Sequence, residues 1–325
     1  MRRALIRRLL ATIALVLVVS SSAFVLTRLA PGDVAQTTLG FGVGAETLAA
    51  ARQRAGLDRP LAVQLAHWLG GLARFDLGTS SLYQRPVGPI VAGRAANTAI
   101  LAVAAMILAL ALGLPPAFVT ASRPRSIPAR AIRTASMVLI SLPPFVGSLV
   151  LVLIAVRTSW LPAGGMTSGG GASGFGYALD LAWHLPLPVL ALAVPLAATF
   201  ERLQSRALAE ALTEPSIAAA RARGIPESRI LRRHAWRLSL KPVAAIGGLV
   251  FGALLSGSFV VELVTAWPGL GRLTYDALLH RDLDLVAGCA AAGTLVLSVG
   301  LLAADLTVAW SDPRTRGDQG AVERA

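Results

Sequence analysis

Few residues in this 325-residue chain could perform bond chemistry, and their spacing excludes most of it. A phosphate-gripping loop needs Gly-Lys followed by Ser or Thr, yet the single lysine, Lys241, is followed by Pro242. A standard ATPase site is therefore not encoded. His67, His184, His234 and His280 stand singly, without a His-Glu-x-x-His run, and no Gly-x-Ser-x-Gly nucleophile elbow is present. The one cysteine, Cys289, lies in an apolar run; it cannot form an intrachain disulfide and reads as a packing residue. Glu201, Glu262 and Asp305 fall near the ends of apolar stretches, where water or a headgroup solvates them, and no charge marks a membrane midplane. The residues predict a protein that is not an enzyme and needs no cofactor or metal.

Contact chemistry is better represented. Ala218-Ala219-Ala220-Arg221-Ala222-Arg223-Gly224-Ile225-Pro226 reads as two short helices joined at a glycine. Thr213-Glu214-Pro215 starts the first, Gly224 is a left-handed C-cap, and Ile225 is the apolar residue that often follows one. Pro226 is expected at the first helical position of the next element. Small residues allow close approach and arginines suit acidic or carbonyl partners, so this elbow predicts a protein contact. The plainer alternative, a helix lying on the membrane, lacks the aromatic or leucine face that interfacial anchoring needs.

The elements that hold this elbow are membrane spans. The chain is 55% hydrophobic and 14% charged, against about 25% charged in soluble domains. Its positive charge clusters between apolar runs and lacks a basic stripe with interleaved aromatics, which points to lipid headgroups and topology rather than nucleic acid. Spans are predicted at residues 9–29, 99–119, 134–156, 185–200, 243–263 and 285–310. Four arginines precede the first, so it is an uncleaved helix with a cytoplasmic start. Residues 122–133 hold four arginines and no acid, and residues 201–241 hold nine basic and four acidic residues; both read as cytoplasmic. Residues 160–184 contain no lysine or arginine and include a glycine-rich tip, so they read as external. The expected architecture is an all-α integral membrane protein with six transmembrane helices and both termini cytoplasmic.

Three divisions follow. Residues 1–97 hold the first span and an extracytoplasmic subdomain with amphipathic patterns near 46–55 and 61–72. Residues 98–310 form a five-helix core carrying the elbow within 201–241, and 311–325 form a cytoplasmic tail. Pro143 and Pro144 remove backbone donors inside the third span, a break tolerated in lipid only where protein or a water-filled cavity satisfies the freed groups. They either line a pathway or make a packing kink.

The chain resembles the permease subunits of binding-protein-dependent ABC importers, of the dipeptide/oligopeptide/nickel type. Ala218-Ala219-Ala220, Gly224 and the closing Lys241-Pro242 fall on the general signature, and Arg233-His234-Ala235 on the peptide-type extension. Leu29-Ala30-Pro31-Gly32-Asp33, Gly56-Leu57-Asp58-Arg59-Pro60 and Asp76-Leu77-Gly78-Thr79-Ser80 match N-terminal marks of that subgroup. Trp267-Pro268-Gly269-Leu270-Gly271-Arg272, Arg281-Asp282 and Asp312-Pro313-Arg314 follow in the family's order. Ala218 and Lys241 depart from the pattern, where an acidic or arginine residue and a leucine are usual.

The resemblance implies the type-1 ABC importer permease fold in a bacterial plasma (inner) membrane. It implies a second homologous permease, two ABC ATPase subunits and an extracytoplasmic solute-binding protein as partners. Ala218, Ala219, Ala220, Arg221, Arg223, Gly224, Pro226 and Pro242 would form the ATPase-coupling elbow. Trp267, Pro268, Gly269 and Gly271 would form an external gate or binding-protein contact. The implied function is translocation of a small solute, most simply a di- or oligopeptide or else a nickel chelate, driven by ATP hydrolysis in the partners. The competing class is a gradient-driven carrier or channel, which inverted repeats with broken helices would favour.

Overall fold

A computed structural model of the chain describes residues 2–29, 46, 50, 53, 58–169 and 173–311. The motif residues 30–33, 56–57 and 312–314, most of the 46–55 pattern, the centre of the glycine-rich tip and the tail lie outside the described residues, as does the Asp305 side chain. The described residues are overwhelmingly helical. In chain order they form α1 (Arg2–Leu29), α2 (Leu61–Leu72), β1 (Thr79–Ser80), β2 (Arg85–Pro86), α3 (Val87–Ser122), α4 (Ile127–Ile140), α5 (Pro144–Thr158) and α6 (Phe175–His184). There follow α7 (Pro186–Ala211), α8 (Pro215–Ala222), α9 (Glu227–Arg229), a π-helical turn (Ile230–Ala235), α10 (Trp236–Val264), α11 (Leu270–Leu279) and α12 (Leu283–Ser311).

Among the described residues, four single helices are long and apolar enough to cross a membrane: Ile6–Leu29, Val87–Ser122, Pro186–Ala211 and Leu283–Leu302. Two further candidates are bent pairs, α4 with α5 at 98° and the stretches Glu227–Gly252 and Gly257–Val264 at 54°. Most helices extend past the predicted apolar runs at one or both ends, because polar residues there continue the same hydrogen-bonded ladder. The arginine-rich loop expected at 122–133 is largely the start of α4. There Ser126 Oγ caps the helix by accepting from Ala129 N–H at 3.3 Å, ahead of an early proline. The third span, expected as one broken element, is two helices separated at residues 141–143. Pro143 holds an extended ψ of 137° and Pro144 opens α5, so neither missing N–H interrupts a ladder.

The described residues fall into two compact units, one within Met1–Ala99 and Pro268–Ser298, the other within Ile100–Trp267 and Val299–Ala325. In the first unit, Val87 and Val91 of α3 pack on Leu270, Leu273 and Ala277 of α11 and on Leu285, Val286 and Cys289 of α12. Phe24 of α1 meets Trp68 of α2 with ring centroids 6.0 Å apart, beside Ala287. The short β1–β2 hairpin is antiparallel, with Thr79 opposite Pro86.

In the second unit, α7 packs against α4, α5 and α10. Its buried face carries Val189, Leu192, Ala193, Ala197 and Phe200, which share a core with Leu101, Ala105 and Ala109 of α3, Val243, Leu254 and Val261 of α10, and Trp267. Alanines at 105, 109, 193 and 197 lie among the larger side chains, small residues of the kind that let helices approach closely in lipid. At Gly113 a Cβ would collide with the Ala197 carbonyl oxygen, so that approach of α3 to α7 requires glycine. The opposite surfaces are apolar and open: Leu149, Val150, Leu153 and Ile154 of α5 are each 45–56% exposed.

Candidate functional site

The elbow is built from residues that are either anchored or presented, with little in between. Pro215 occupies the first helical position of α8, where its missing N–H costs nothing. Glu214 precedes it in extended conformation, and its carbonyl accepts from Ile217 and Ala218 N–H at 3.0 and 3.2 Å. Ile217 and Ala220, one turn apart, are 1% and 5% exposed. They pack on Leu208 and Ala211 of α7 and on Ile230 and Ala235 of the π-helical turn. Phe118 and Trp236, rings 6.0 Å apart, close the same cluster.

Gly224 ends α8 at φ 74°. Its N–H donates to Arg221 O at 2.9 Å, and Ile225 N–H reaches back to Ala220 O at 3.2 Å. That pair of bonds is the Schellman arrangement, with Ile225 as its apolar follower. A Cβ on Gly224 would meet nothing, so the left-handed backbone, not crowding, demands glycine. Pro226 differs from its expected register: it is the N-cap of α9, at ψ 139°, and Glu227 takes the first helical position. The Pro226 carbonyl accepts from Arg229 and Ile230 N–H at 2.9 and 3.0 Å. The chain needs that extended residue to turn out of the Gly224 cap before a second helix can start.

Ala218, Ala219, Ala222, Arg223, Gly224 and Pro226 are exposed. Ala220, grouped with them by sequence, instead faces the core. Arg221 is exposed but engaged: its Nε and Nη2 donate to Glu227 Oε2 and Oε1 at 3.0 and 2.7 Å, and Nη1 to Leu212 O at 3.4 Å. The carboxylate holds the guanidinium above its ordinary pKa. One side chain thus ties α7's end, α8 and α9 together across the glycine. Arg223 Nε donates to Ala219 O at 3.3 Å. Lys241 and Pro242 lie exposed along α10, Pro242 inside the helix.

Behind the elbow the second unit holds a polar layer that the sequence placed elsewhere. Glu201, expected in a solvated interface, is 3% exposed, and Glu262 is fully buried. Thr120 Oγ1 lies 2.7 Å from Glu201 Oε1 and 2.9 Å from Ser205 Oγ, while Gln204 Nε2 donates to Ser239 Oγ at 2.8 Å. Apart from this layer, at the far end of α10, Ser258 Oγ donates to Glu262 Oε1 at 3.1 Å. The reason is packing: α3 and α10 cover the face of α7 that carries Glu201 and Gln204. Thr120, Gln204, Ser205 and Ser239 were not singled out by sequence. The i, i+3, i+4 spacing of Glu201, Gln204 and Ser205 was the available signal.

In the first unit, two separate motifs become one knot. Asp282 is the N-cap of α12, its Oδ1 accepting from Leu285 N–H at 3.1 Å. Its Oδ2 accepts from Ser80 Oγ at 2.6 Å and Leu82 N–H at 3.0 Å. Asn97 Nδ2 donates to Pro268 O at 2.9 Å and Thr98 Oγ1 accepts from Leu270 N–H at 2.8 Å, which fixes the start of α11. Of the residues expected at an external gate, Trp267 and Gly269 are buried, and Pro268 and Gly271 are half-buried. Pro143 is exposed and Pro144 half-buried. Among the described residues, no group of three or more His, Cys, Asp or Glu could hold a metal ion.

The chain is similar to known proteins along most of its length. Residues 109–317 match the model of the binding-protein-dependent transport system inner membrane component, and residues 1–86 match the N-terminal model of such membrane components. The chain is 32% identical over 312 residues to the oligopeptide transport system permease protein AppB of Bacillus subtilis, covering 95% of this chain and 98% of that one. It is 34% identical over 283 residues to the glutathione transport system permease protein GsiC of Salmonella choleraesuis, covering 86% and 88%. A putative peptide transport system permease protein of Brucella abortus is 33% identical over 320 residues, covering 97% and 99%.

Proposed function

The chain belongs to the family of binding-protein-dependent transport system inner membrane components, and from that premise we propose how it works and what it carries. It is a multi-pass permease subunit of an ABC importer in the bacterial inner membrane, and not itself an enzyme. Its solute is a small peptide, the class named for relatives matched along most of the chain. Energy comes from two ATPase subunits, since Lys241-Pro242 offers no phosphate-gripping loop. A second homologous permease completes the pathway, and a solute-binding protein delivers the peptide from outside.

The observation that carries this reading is the two-sidedness of the elbow. Ile217 and Ala220 fasten it to α7 and the π-helical turn, while Ala218, Ala219, Arg223, Gly224 and Pro226 present a small-residue knuckle. That knuckle fits a cleft in an ATPase, and its movement passes to α7 and α10, the helices it is fastened to. Arg221 keeps the knuckle in shape rather than reaching for the partner. Pro242 on α10 extends the same coupling segment. On the outer side, Pro268, Gly269 and Gly271 form the gate and binding-protein contact, with Trp267 as its buried anchor. Pro143 and Pro144 line the pathway at the α4–α5 break.

The associated topology is six spans with both termini cytoplasmic. Residues 1–97 serve as first span and external subdomain, 98–310 as core and 311–325 as tail, although Pro268–Ser298 packs with the N-terminal residues. The test is co-purification followed by uptake in proteoliposomes. An importer subunit brings two ATP-binding proteins with it and accumulates a short peptide only with ATP and binding protein. Uptake that follows an ion gradient without ATP overturns the reading in favour of a secondary carrier.

A further inference from the structure

Between α5 and α7 lies α6, a ten-residue helix with one polar and one apolar face. Its polar face holds Tyr177 and Asp180, both accessible, and ends in the buried His184. Asp180 Oδ2 accepts the Ser168 N–H at 2.8 Å and Oδ1 accepts the Ser168 hydroxyl at 2.8 Å. His184, 6% exposed, places Nδ1 3.2 Å from Asp180 Oδ1, and Leu181 packs against the second unit's core. The outward stripe is apolar: Phe175, Leu179 and Trp183, at i, i+4 and i+8, are 85%, 63% and 57% exposed.

Chain continuity fixes the level of this stripe. Trp183 precedes the candidate span Pro186–Ala211 by only three residues, so the last turn of α6 sits where that span leaves the hydrocarbon. Trp160, two residues beyond the end of α5, is 76% exposed at the corresponding end of that helix. Aromatic rings of this kind occupy the headgroup level, with an apolar body and a polar tip. No lysine or arginine occurs between Thr158 and Phe200, and the Asp180 carboxylate is taken up by Ser168. Within α6 and the loop before it a protein partner would find no basic residue, Arg157 in the last turn of α5 being the nearest before it in the chain, whereas a bilayer boundary needs none.

We propose that α6 lies in the plane of the membrane–water interface and buries Phe175, Leu179 and Trp183 at the headgroup–acyl boundary. The Ser168 bonds to Asp180 set the roll of the helix that keeps this stripe toward lipid. The occupant of the surface is phospholipid, tethered beneath α6 by the neighbouring spans rather than recruited by charge.

The test uses the full chain, with the subunits that purify with it, in nanodiscs of phosphatidylethanolamine and phosphatidylglycerol. In a Cys289→Ala background, single cysteines at positions 175, 179, 183 and 177 carry a nitroxide label. Relaxation by oxygen, which enters acyl chains, is compared with relaxation by a water-soluble nickel chelate. Oxygen is expected to dominate at 175, 179 and 183, and the nickel chelate at 177 on the opposite flank. Nickel dominance at all four positions means the stripe faces water and overturns the proposal. Immobilised labels shielded from both reagents mean a protein covers the stripe, which also overturns it.

Discussion

Ser80 Oγ donates to Asp282 Oδ2 at 2.6 Å, joining residues 202 positions apart in one buried hydrogen bond. Leu82 N–H and Leu285 N–H complete the carboxylate's partners, so Asp282 at once caps α12 and pins the residues after the β1 strand. Truncation with Asp282→Ala leaves three donors unpaired in a buried site, and costs about 3 kcal/mol or more of stability. Ser80→Ala removes one of the carboxylate's donors and the acceptor of the Tyr83 N–H, leaves the other two bonds to Asp282 in place, and costs about 1–2 kcal/mol. Thermal unfolding of the detergent-solubilised chain should rank the two variants in that order.

How much of this was legible in sequence depended on the range of each interaction. The Gly224 cap was readable because Gly-Ile-Pro encodes its own geometry within three residues. The register of Pro226 was missed by one position, since the exit angle from the cap decides where α9 starts. Asp76–Ser80 and Arg281–Asp282 were each visible as motifs, but their joining depends on the packing of α3, α11 and α12. Likewise the prolines at 143 and 144 marked a break, while the 98° angle across it depends on what α7 packs against. Burial of Glu201 was illegible because α3 and α10, distant in sequence, supply the cover.

The Gly224 backbone offers a second prediction. At φ 74°, Gly224→Ala carries a penalty of about 1–2 kcal/mol, while Gly224→Asn, which visits this region more readily, carries less. Hydrogen exchange at the Ile225 amide, donor to Ala220 O, should quicken in the alanine variant and change less in the asparagine one.

The Arg221–Glu227 bridge crosses the glycine and is exposed at both ends. Such pairs add little to global stability and are screened by salt. Arg221→Ala and Glu227→Ala should each loosen the elbow with nearly the effect of the double variant. A double-mutant cycle on exchange at Gly224 should show coupling that fades at high salt.

Asp180 gives a pH dependence. The Ser168 N–H first, then its hydroxyl and His184, hold the carboxyl below its ordinary value of 3.8. Its folded pKa being depressed, the contribution is present above 3.8 and is lost as pH falls through the lower folded value. A nitroxide at position 179 should keep its mobility from neutral pH down to that window and become more mobile below it. An Asp180→Asn variant should be more mobile at neutral pH already.

The central claim is that energy enters through the exposed face of α8. Ala219 lies on that face, outside the anchoring cluster, and Glu is a good helix former, so Ala219→Glu changes the contact without unmaking the elbow. The decisive measurement is ATP-dependent peptide uptake by the reconstituted complex carrying this substitution, with membrane insertion of the chain checked alongside. The account predicts normal insertion with loss of ATPase co-purification or of uptake. Uptake at the wild-type rate, with the ATPases still bound, would contradict it.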